Sequence, residues 1–346
     1  MSPEKHIPFS KVLAALLDQD KPFPPSYLRS FSDLEIRDRV ELKKIWKQIQ
    51  PQRRINLLQD LEDLEEVDYT VSFEETARLA LKDDDPEARV IAIRLLWGSI
   101  SEGLAPALIN LLQSDPEVGV RAQAAAGLGY FIYAGELEEI SQQTLNACED
   151  ALLAAYRQSG SELVRRRALE SLGYSSREEI SPLIQEAYKK QENEWLNSAL
   201  VAMGRSANEQ WRKIVMAMID HPRISVQVDA IHAAGELALE EARKPLLERL
   251  EEGIEDEEVF LEIVWALSSI GGEGVRHALE KLLEDTDDDD IADVIEDALD
   301  NLFMTEGLAD LGMFEFDGDD NDDPSNPQDD RVEPPDPQLK KKRKRH

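Results

Sequence analysis

Cysteine is nearly absent from this sequence of 346 residues, and cationic residues are scarce. The single cysteine, Cys148, excludes an internal disulfide framework and a cysteine zinc cluster, and it fits a reducing compartment. The 39 Lys and Arg residues stand against 72 Asp and Glu residues, which gives a formal net charge of −33. Because a charge of this sign repels phosphate, nucleic-acid binding by the body of the protein is disfavoured.

Aromatic residues and long apolar runs are scarce as well. Aromatic residues make up 6% of the chain, so the core must be mainly aliphatic. No run approaches the ~20 apolar residues of a membrane-spanning helix. The apolar stretch at residues 12–17 is cut off by Asp18 and Asp20, and it makes a poor signal peptide. We therefore expect a cytoplasmic protein that has no membrane partner.

What the sequence does contain is an internal repeat. An alanine is followed five residues later by a glycine, and this combination recurs at a spacing near 31 residues with two longer steps. The copies are Ala124 with Gly129, Ala168 with Gly173, Ala199 with Gly204, Ala230 with Gly235, and Ala266 with Gly271. A period of this length accommodates two helices of ~11 residues and two short turns.

Each repeat predicts a first helix that opens at Asp, Ser or Asn, which are strong N-cap residues. In the clearest copy Asp115 is the predicted cap, Pro116 takes the first helical position, and Gly129 is predicted to end the helix in the left-handed conformation. The predicted starts are Asp85, Asp115, Ser161, Asn193, Ser225, Asp256 and Asp288. Neither helix of a pair can bury its apolar stripe alone, so the pairs must stack. No stretch alternates with period two, and no sheet is predicted.

This pattern resembles a HEAT-repeat array of the short bacterial kind, similar to the HEAT-like repeats of phycobilin lyases. The resemblance covers roughly residues 70–303, and it is carried by Asp115-Pro116, Val120-Arg121, Ala124, Leu128 and Gly129. It implies an all-α fold, a right-handed α-solenoid of two-helix repeats. In HEAT repeats an early Asp and an Arg six residues later commonly form a ladder between units. Asp115 and Arg121 keep this spacing, but Asp85 is followed by Ile91 at that distance, so we expect an incomplete ladder.

Four segments are predicted from these patterns. They are an N-terminal arm with a short helix at 1–25, a helical N-terminal cap at 26–83, the HEAT-like array at 84–303, and a disordered acidic tail with a basic end at 304–346. Trp46 is expected to be a core anchor of the cap.

No pattern predicts a catalytic residue, a cofactor or a bound metal ion. Deoxyhypusine hydroxylases of helical-repeat type hold iron with His-Glu dipeptides, and none of the five histidines is followed by Glu. Residues 317–322 resemble a calcium loop, but Asp322 stands where such a loop needs glycine. Cys148 lies on an apolar helix face and is interpreted as a buried structural thiol. We therefore expect no enzymatic activity, with lyase-like chemistry left open.

The turns that follow the glycines contain aromatic and basic residues. Successive turns of a solenoid line up along one edge, and these residue types are the usual energetic hot spots of interfaces. The candidate partner-binding ridge consists of Tyr130, Tyr174, Arg177, Arg205 and Trp211. The alternative is that the aromatic side chains cap apolar layers and that the arginines pair with local acids.

A basic cluster ends the sequence. It consists of Lys340, Lys341, Lys342, Arg343, Lys344 and Arg345. This cluster could bind nucleic acid or another polyanion, fold back on the acidic linker or body, or serve only as a solubilising end.

These observations favour a non-enzymatic scaffold or adaptor that binds a protein partner of unknown identity. The predicted binding surface is the concave face, lined by the second helices, together with the turn edge. One alternative is a lyase or chaperone that acts on a pigment or another client protein. A second alternative is nucleic-acid binding through the basic tail.

Overall fold

The computed structural model describes the backbone of residues 7–310 and the side chains of residues 7–305. Every regular element in this range is a helix, and no strand occurs within it. The chain divides near residue 306 into two units, and apart from the end of the last helix the elements below belong to the first. The prediction of an all-α fold is confirmed.

Four helices precede the array. They are α1 (Phe9–Leu17), α2 (Ile36–Ile45), α3 (Pro51–Val67) and α4 (Glu74–Ala80), with 3₁₀ segments at Pro25–Phe31 and Trp46–Gln48. Trp46 is buried, and its Nε1 donates a hydrogen bond to Asp83 Oδ2 at 2.6 Å. The prediction that Trp46 anchors the core of this segment is therefore confirmed.

The array follows as helices that alternate between two rows. The first row contains α5 (Pro86–Arg94), α7 (Val118–Glu136), α9 (Glu162–Leu172), α11 (Asn193–Arg205), α13 (Ile224–Glu236) and α15 (Glu257–Ile270). The second row contains α6 (Ala105–Ser114), α8 (Gln142–Gln158), α10 (Ile180–Lys189), α12 (Arg212–Met218), α14 (Glu240–Glu252) and α16 (Val275–Asp285), and α17 (Asp289–Asp310) ends the described range. We call the row of α5, α7, α9, α11, α13 and α15 the glycine row.

The helices of the glycine row pack most extensively on one another. Neighbouring helices of the glycine row contact each other over more residues than neighbouring helices of the second row do. From α6 to α14, each helix of the second row packs mainly on the glycine-row helix that follows it, as α8 packs on α9 and α10 on α11. The structural unit therefore begins one helix earlier than the sequence pattern suggested, because the repeated motif marks the second helix of each unit.

The repeated glycines make this close packing possible. A Cβ atom on Gly173 would lie 2.9 Å from the Cα atom of Ala202, and one on Gly204 would lie 3.0 Å from the Cα atom of Ala233. A Cβ atom on Gly235 would similarly lie 3.0 Å from the Cα atom of the next alanine along the row. Only a glycine permits such an approach without a shift of the neighbouring backbone.

The prediction that these glycines end their helices in the left-handed conformation was wrong for four of the five. Gly129, Gly204 and Gly235 lie inside helices, and Gly173 follows α9 with right-handed dihedral angles. Only Gly271 has a positive φ, +61°, directly after α15. Here a glycine that faces a small residue of the next helix lets the two helices approach closely. In the sequence such a glycine looks the same as one that ends a helix.

A ladder of buried ion pairs joins the first units. Arg54 in α3 donates from Nε and Nη2 to Asp83 at 2.7 and 2.8 Å, and Arg89 in α5 donates from the same atoms to Asp115 at 2.8 and 2.9 Å. The Nη1 atom of Arg89 donates to the Asp83 carbonyl, and that of Arg121 donates to the Asp115 carbonyl. Each arginine thus holds the turn of its own unit, and the first two also bind the aspartate of the next unit.

Two aspartates near this ladder have other roles than the sequence predicted. Asp85 is the cap of α5, where its carboxylate accepts from the Glu87 amide at 2.9 Å, and the ladder residue is Asp83. Asp115 is not the cap residue of α7, because Glu117 holds that position while Asp115 binds Arg89. The spacing of six residues between Asp and Arg was correct, and it recurs from Asp83 to Arg89.

The core is a continuous aliphatic layer that runs between the two rows. Its few large aromatic members include Phe31, Phe73, Phe131 and Trp195. Within the described residues, no helix combines the length and the apolar character that crossing a bilayer requires.

Candidate functional site

The five residues of the predicted ridge do not form one surface. Trp211 is only 3% exposed, because the short 3₁₀ turn Glu209–Trp211 directs its ring into the core before α12 begins. Arg177 binds the carboxylates of Glu149 and Asp150, both at 2.7 Å, so its charge is neutralised within the protein. For these two residues the alternative interpretation, core packing and local ion pairing, is the correct one.

The other three ridge residues do come together. They lie at the ends of α7, α9 and α11, and the ring centroid of Tyr133 links them, at 6.1 Å from Tyr130 and 5.4 Å from Tyr174. The guanidinium of Arg205 lies over the Tyr174 ring at 4.9 Å and donates to the Glu170 carbonyl. Tyr133 is 44% exposed, and it is the most accessible member of the group although it was not part of the predicted ridge.

A second aromatic pair continues the same side of the glycine row. His232 in α13 and Trp265 in α15 stack with ring centroids 4.2 Å apart and planes 11° from parallel. His232 Nδ1 lies 2.7 Å from Glu262 Oε1, and its Nε2 lies 3.7 Å from Glu236 Oε1. The imidazole is therefore held between two carboxylates on adjacent helices.

The group of three tyrosines and Arg205 and the pair of His232 and Trp265 follow one another along the glycine row. Glu236 follows Gly235 as Arg205 follows Gly204 and as Tyr174 follows Gly173, so all three occupy the same position of successive repeats. A Cβ atom on Gly204 would meet the carboxylate of Glu236, so the second group reaches the helix end where Arg205 lies. We call Tyr130, Tyr133, Tyr174, Arg205, Glu236, His232 and Trp265 the aromatic row.

The repeat register could have identified Glu236 as a member of the aromatic row from sequence. His232 and Trp265 carried no such signal, because their contact joins residues that are 33 positions apart on different helices. Their stacking depends on the side-by-side packing of α13 and α15, which the sequence predicts only in outline.

The pKa values of three groups in or beside the aromatic row, His232, Asp229 and Tyr174, are raised. Burial disfavours the charged form of His232, but its contacts with Glu236 and Glu262 outweigh this effect and raise the pKa of His232 to about 9. Burial, together with the nearby charge of Glu170, raises the pKa of Asp229 to about 7. Burial also raises the pKa of Tyr174, and the adjacent Arg205 opposes that shift. At neutral pH the imidazolium of His232 is therefore a fixed positive charge among carboxylates.

The remaining sequence-predicted sites are located as follows. Cys148 is fully buried in α8. Burial, with a contribution from Glu149, raises the pKa of its thiol to about 12, which fits a structural thiol that does not react. Among the described residues, no group of three or more His, Cys, Asp or Glu side chains is arranged to hold a metal ion. The basic cluster from Lys340 to Arg345 and the acidic segment at 317–322 lie outside the described residues.

Comparison with known proteins identifies the repeat. Residues 212–300 match the family model described as HEAT repeats. No curated protein sequence matches the chain. The match falls on α12–α17, and helix pairs of the same design extend from α4 through α11. The described array is thus an α-solenoid of two-helix repeats, of which residues 212–300 match HEAT repeats.

Several solved structures resemble the chain at low sequence identity. YibA of Escherichia coli is 17% identical, with 80% of this chain and 96% of YibA covered and a TM-score of 0.40. The CpcE–CpcF complex of phycocyanin lyase from Nostoc sp. PCC7120 is 18% identical over 66% of this chain and 94% of that chain, with a TM-score of 0.45. Human deoxyhypusine hydroxylase is 15% identical over 86% and 97%, with a TM-score of 0.34.

Proposed function

We propose that this protein is a non-enzymatic scaffold or adaptor that binds a partner protein along the aromatic row. The observation that carries the proposal is the placement of partly exposed aromatic and charged side chains on five successive helices of the glycine row. Tyrosine, tryptophan and arginine are the residue types that contribute most to binding energy at protein interfaces.

The position of the aromatic row in the solenoid supports this role. A stack of helix pairs curves toward the row in which neighbouring helices approach most closely, and the resulting concave side is the extended binding surface of such arrays. In this protein the glycine–alanine contacts bring the glycine row closest together. The packing therefore favours a concave face lined by the glycine row, whereas the sequence analysis had assigned it to the other helices.

The chemistry of the row suggests what the partner presents. Glu236 and Glu262 flank the stacked His232 and Trp265 and outnumber the single charge of the His232 imidazolium, and the other cation of the row, Arg205, lies at the tyrosine end. Carboxylates beside aromatic faces are suited to lysine and arginine side chains, which make both ion pairs and cation–π contacts. A partner segment with basic residues opposite α13 and α15 fits this arrangement.

Affinity capture with matched surface variants tests the proposal. The double variant Tyr133→Ser/Arg205→Ser removes one exposed and one half-buried side chain of the row, and Tyr69→Ser removes an exposed tyrosine (93% exposed) that lies far along the chain from the row. We expect a protein captured from the native cell by wild type and by Tyr69→Ser to be lost with the double variant. Equal capture by all three proteins would refute the aromatic row as the binding surface.

The other functional hypotheses stay predictions of the sequence. These hypotheses are the absence of enzymatic activity, a lyase or chaperone role, and nucleic-acid binding by the basic tail. Incubation with a pigment and its client protein would test the lyase hypothesis, and filter binding with and without residues 339–346 would test the tail.

A further inference from the structure

The ladder of ion pairs has a fixed register in the repeats. Asp83 stands three residues before the first residue of α5, and Asp115 stands three residues before the first residue of α7. Each accepts two hydrogen bonds from an arginine of the preceding unit, Arg54 or Arg89, with both partners of each pair buried. An acid at this position and an arginine one unit earlier therefore define one step of the ladder.

Two units later, the same positions hold two cations. Arg165 lies six residues after Ser159, as Arg89 lies six residues after Asp83, so it occupies the arginine position of its unit. The residue three positions before the first residue of α11 is Lys190. A lysine thus stands opposite Arg165, where the ladder has an aspartate.

Both cations lie against the same buried ring. Arg165 Cζ is 5.4 Å from the ring centroid of Trp195, and Lys190 Nζ is 3.0 Å from it. Burial lowers the pKa of Lys190, and the nearby charge of Arg165 lowers it further. Like charges on one ring repel each other, so this step of the ladder places two cations together where the earlier steps pair a cation with an acid.

No acid in the described residues neutralises the pair directly. Arg165 donates from Nε to the Tyr156 carbonyl, which leaves both of its terminal nitrogens available. Glu162, Glu186 and Glu192 attract Lys190 from a distance, but none approaches it within ion-pairing range. The two rings under Arg165 also carry buried donors, Tyr156 Oη and Trp195 Nε1, that have no hydrogen-bond partner among the described residues.

We propose that Arg165 and Lys190 bind a carboxylate of a partner protein, an Asp or Glu side chain that takes the place of the missing ladder aspartate. The planar guanidinium fork matches a carboxylate, as the two bidentate pairs of Arg54 and Arg89 show in this protein. Lys190 adds a second charge, since its Nζ lies over the same Trp195 ring as the Arg165 guanidinium. The site does not involve the aromatic row, so the inference is independent of the proposed function.

The experiment uses the full chain labelled with ¹⁵N and follows the indole N–H signal of Trp195, which Trp195→Phe identifies. The probe is N-acetyl-aspartate amide, a single carboxylate on a side chain of the required kind. We expect the Trp195 signal to shift saturably with the probe, and Arg165→Gln to weaken the apparent affinity by about tenfold or more, the loss typical of a hydrogen bond to a charged group. The exposed Lys244→Gln serves as the control and should bind as wild type does.

A charge reversal keeps the test independent of folding defects. Lys190→Asp restores the acid of the ladder, so this variant should be at least as stable to heat as wild type and should no longer respond to the probe. The proposal is overturned if the wild-type Trp195 signal does not move, if Lys190→Asp responds as wild type does, or if inorganic phosphate at equal concentration binds more tightly than the carboxylate.

Discussion

Substitution of Gly173 by alanine tests whether the glycine row is held together by backbone contacts. The added Cβ atom would lie 2.9 Å from both the Cα and the carbonyl oxygen of Ala202, and 3.1 Å from the Cβ of Arg205. Backbone atoms cannot rotate away, so α9 and α11 must separate. Overpacking of this kind costs about 3 kcal/mol at the upper end of its range. Alanine recovers about 1 kcal/mol through its lower backbone entropy, since the dihedral angles of Gly173 are right-handed.

The net expectation for Gly173→Ala is a loss of about 2 kcal/mol, which corresponds to a fall in melting temperature of roughly 4–8 °C for a domain of 150–250 residues. Gly119 in α7 is the matched control, because a Cβ atom there meets nothing within 4 Å. Gly119→Ala should stabilise the protein by about 0.5–1 kcal/mol. Thermal unfolding followed by circular dichroism compares the two. If both alanines raise the melting temperature, the close approach of α9 and α11 is not what stabilises the array.

Two further perturbations address the ladder and the aromatic row. Asp83→Ala should destabilise the protein by about 3–5 kcal/mol, because it leaves Arg54 buried without its partner, whereas Asp84→Ala, which breaks only the exposed pair with Lys47, should cost less than about 1 kcal/mol in urea unfolding. Equal losses of stability in the two variants would show that the buried pair stabilises the protein no more than the exposed pair does. The raised pKa values of His232 (about 9, from 6.5) and Asp229 (about 7, from 3.8) mean that both groups bind protons more tightly in the folded state. Their stabilisation is present at low pH and is lost as pH rises, through 7 for Asp229 and through 9 for His232. The urea midpoint of wild type should therefore decrease as the pH is raised from 7 to 9.5. His232→Gln should remove this decrease, whereas the exposed His277→Gln should keep it. An unchanged decrease in His232→Gln would contradict the assignment.

The fold could be predicted from sequence because its signal is local and repeated. Helical spacing of apolar residues and the recurring alanine and glycine depend only on residues within one unit. The role of the glycines was misjudged for the same reason. Gly204 and Gly235 face alanines of the next unit, and that neighbour is about 30 residues away in the chain. A glycine near the end of a helical pattern therefore looks the same whether it ends the helix or admits a neighbour.

The candidate site was predictable only in part, since it depends on side-chain direction. Tyr130, Tyr174 and Arg205 share one repeat position, and the repeat register brought them together as expected. Trp211 lies only a few residues beyond Arg205, yet one 3₁₀ turn rotates it into the core. The stack of His232 on Trp265 required knowledge of which helices are neighbours, and the unit boundary inferred from the motif was displaced by one helix.

The most direct test of the central claim, that the aromatic row binds a partner protein, is site-specific photo-crosslinking in the native cell. A photoreactive phenylalanine analogue replaces Tyr133 in the row in one protein and Tyr69, the exposed tyrosine outside the row, in another. We expect a discrete crosslinked partner from position 133 that is absent from position 69. Crosslinking of the same products from both positions, or none from position 133, would contradict it.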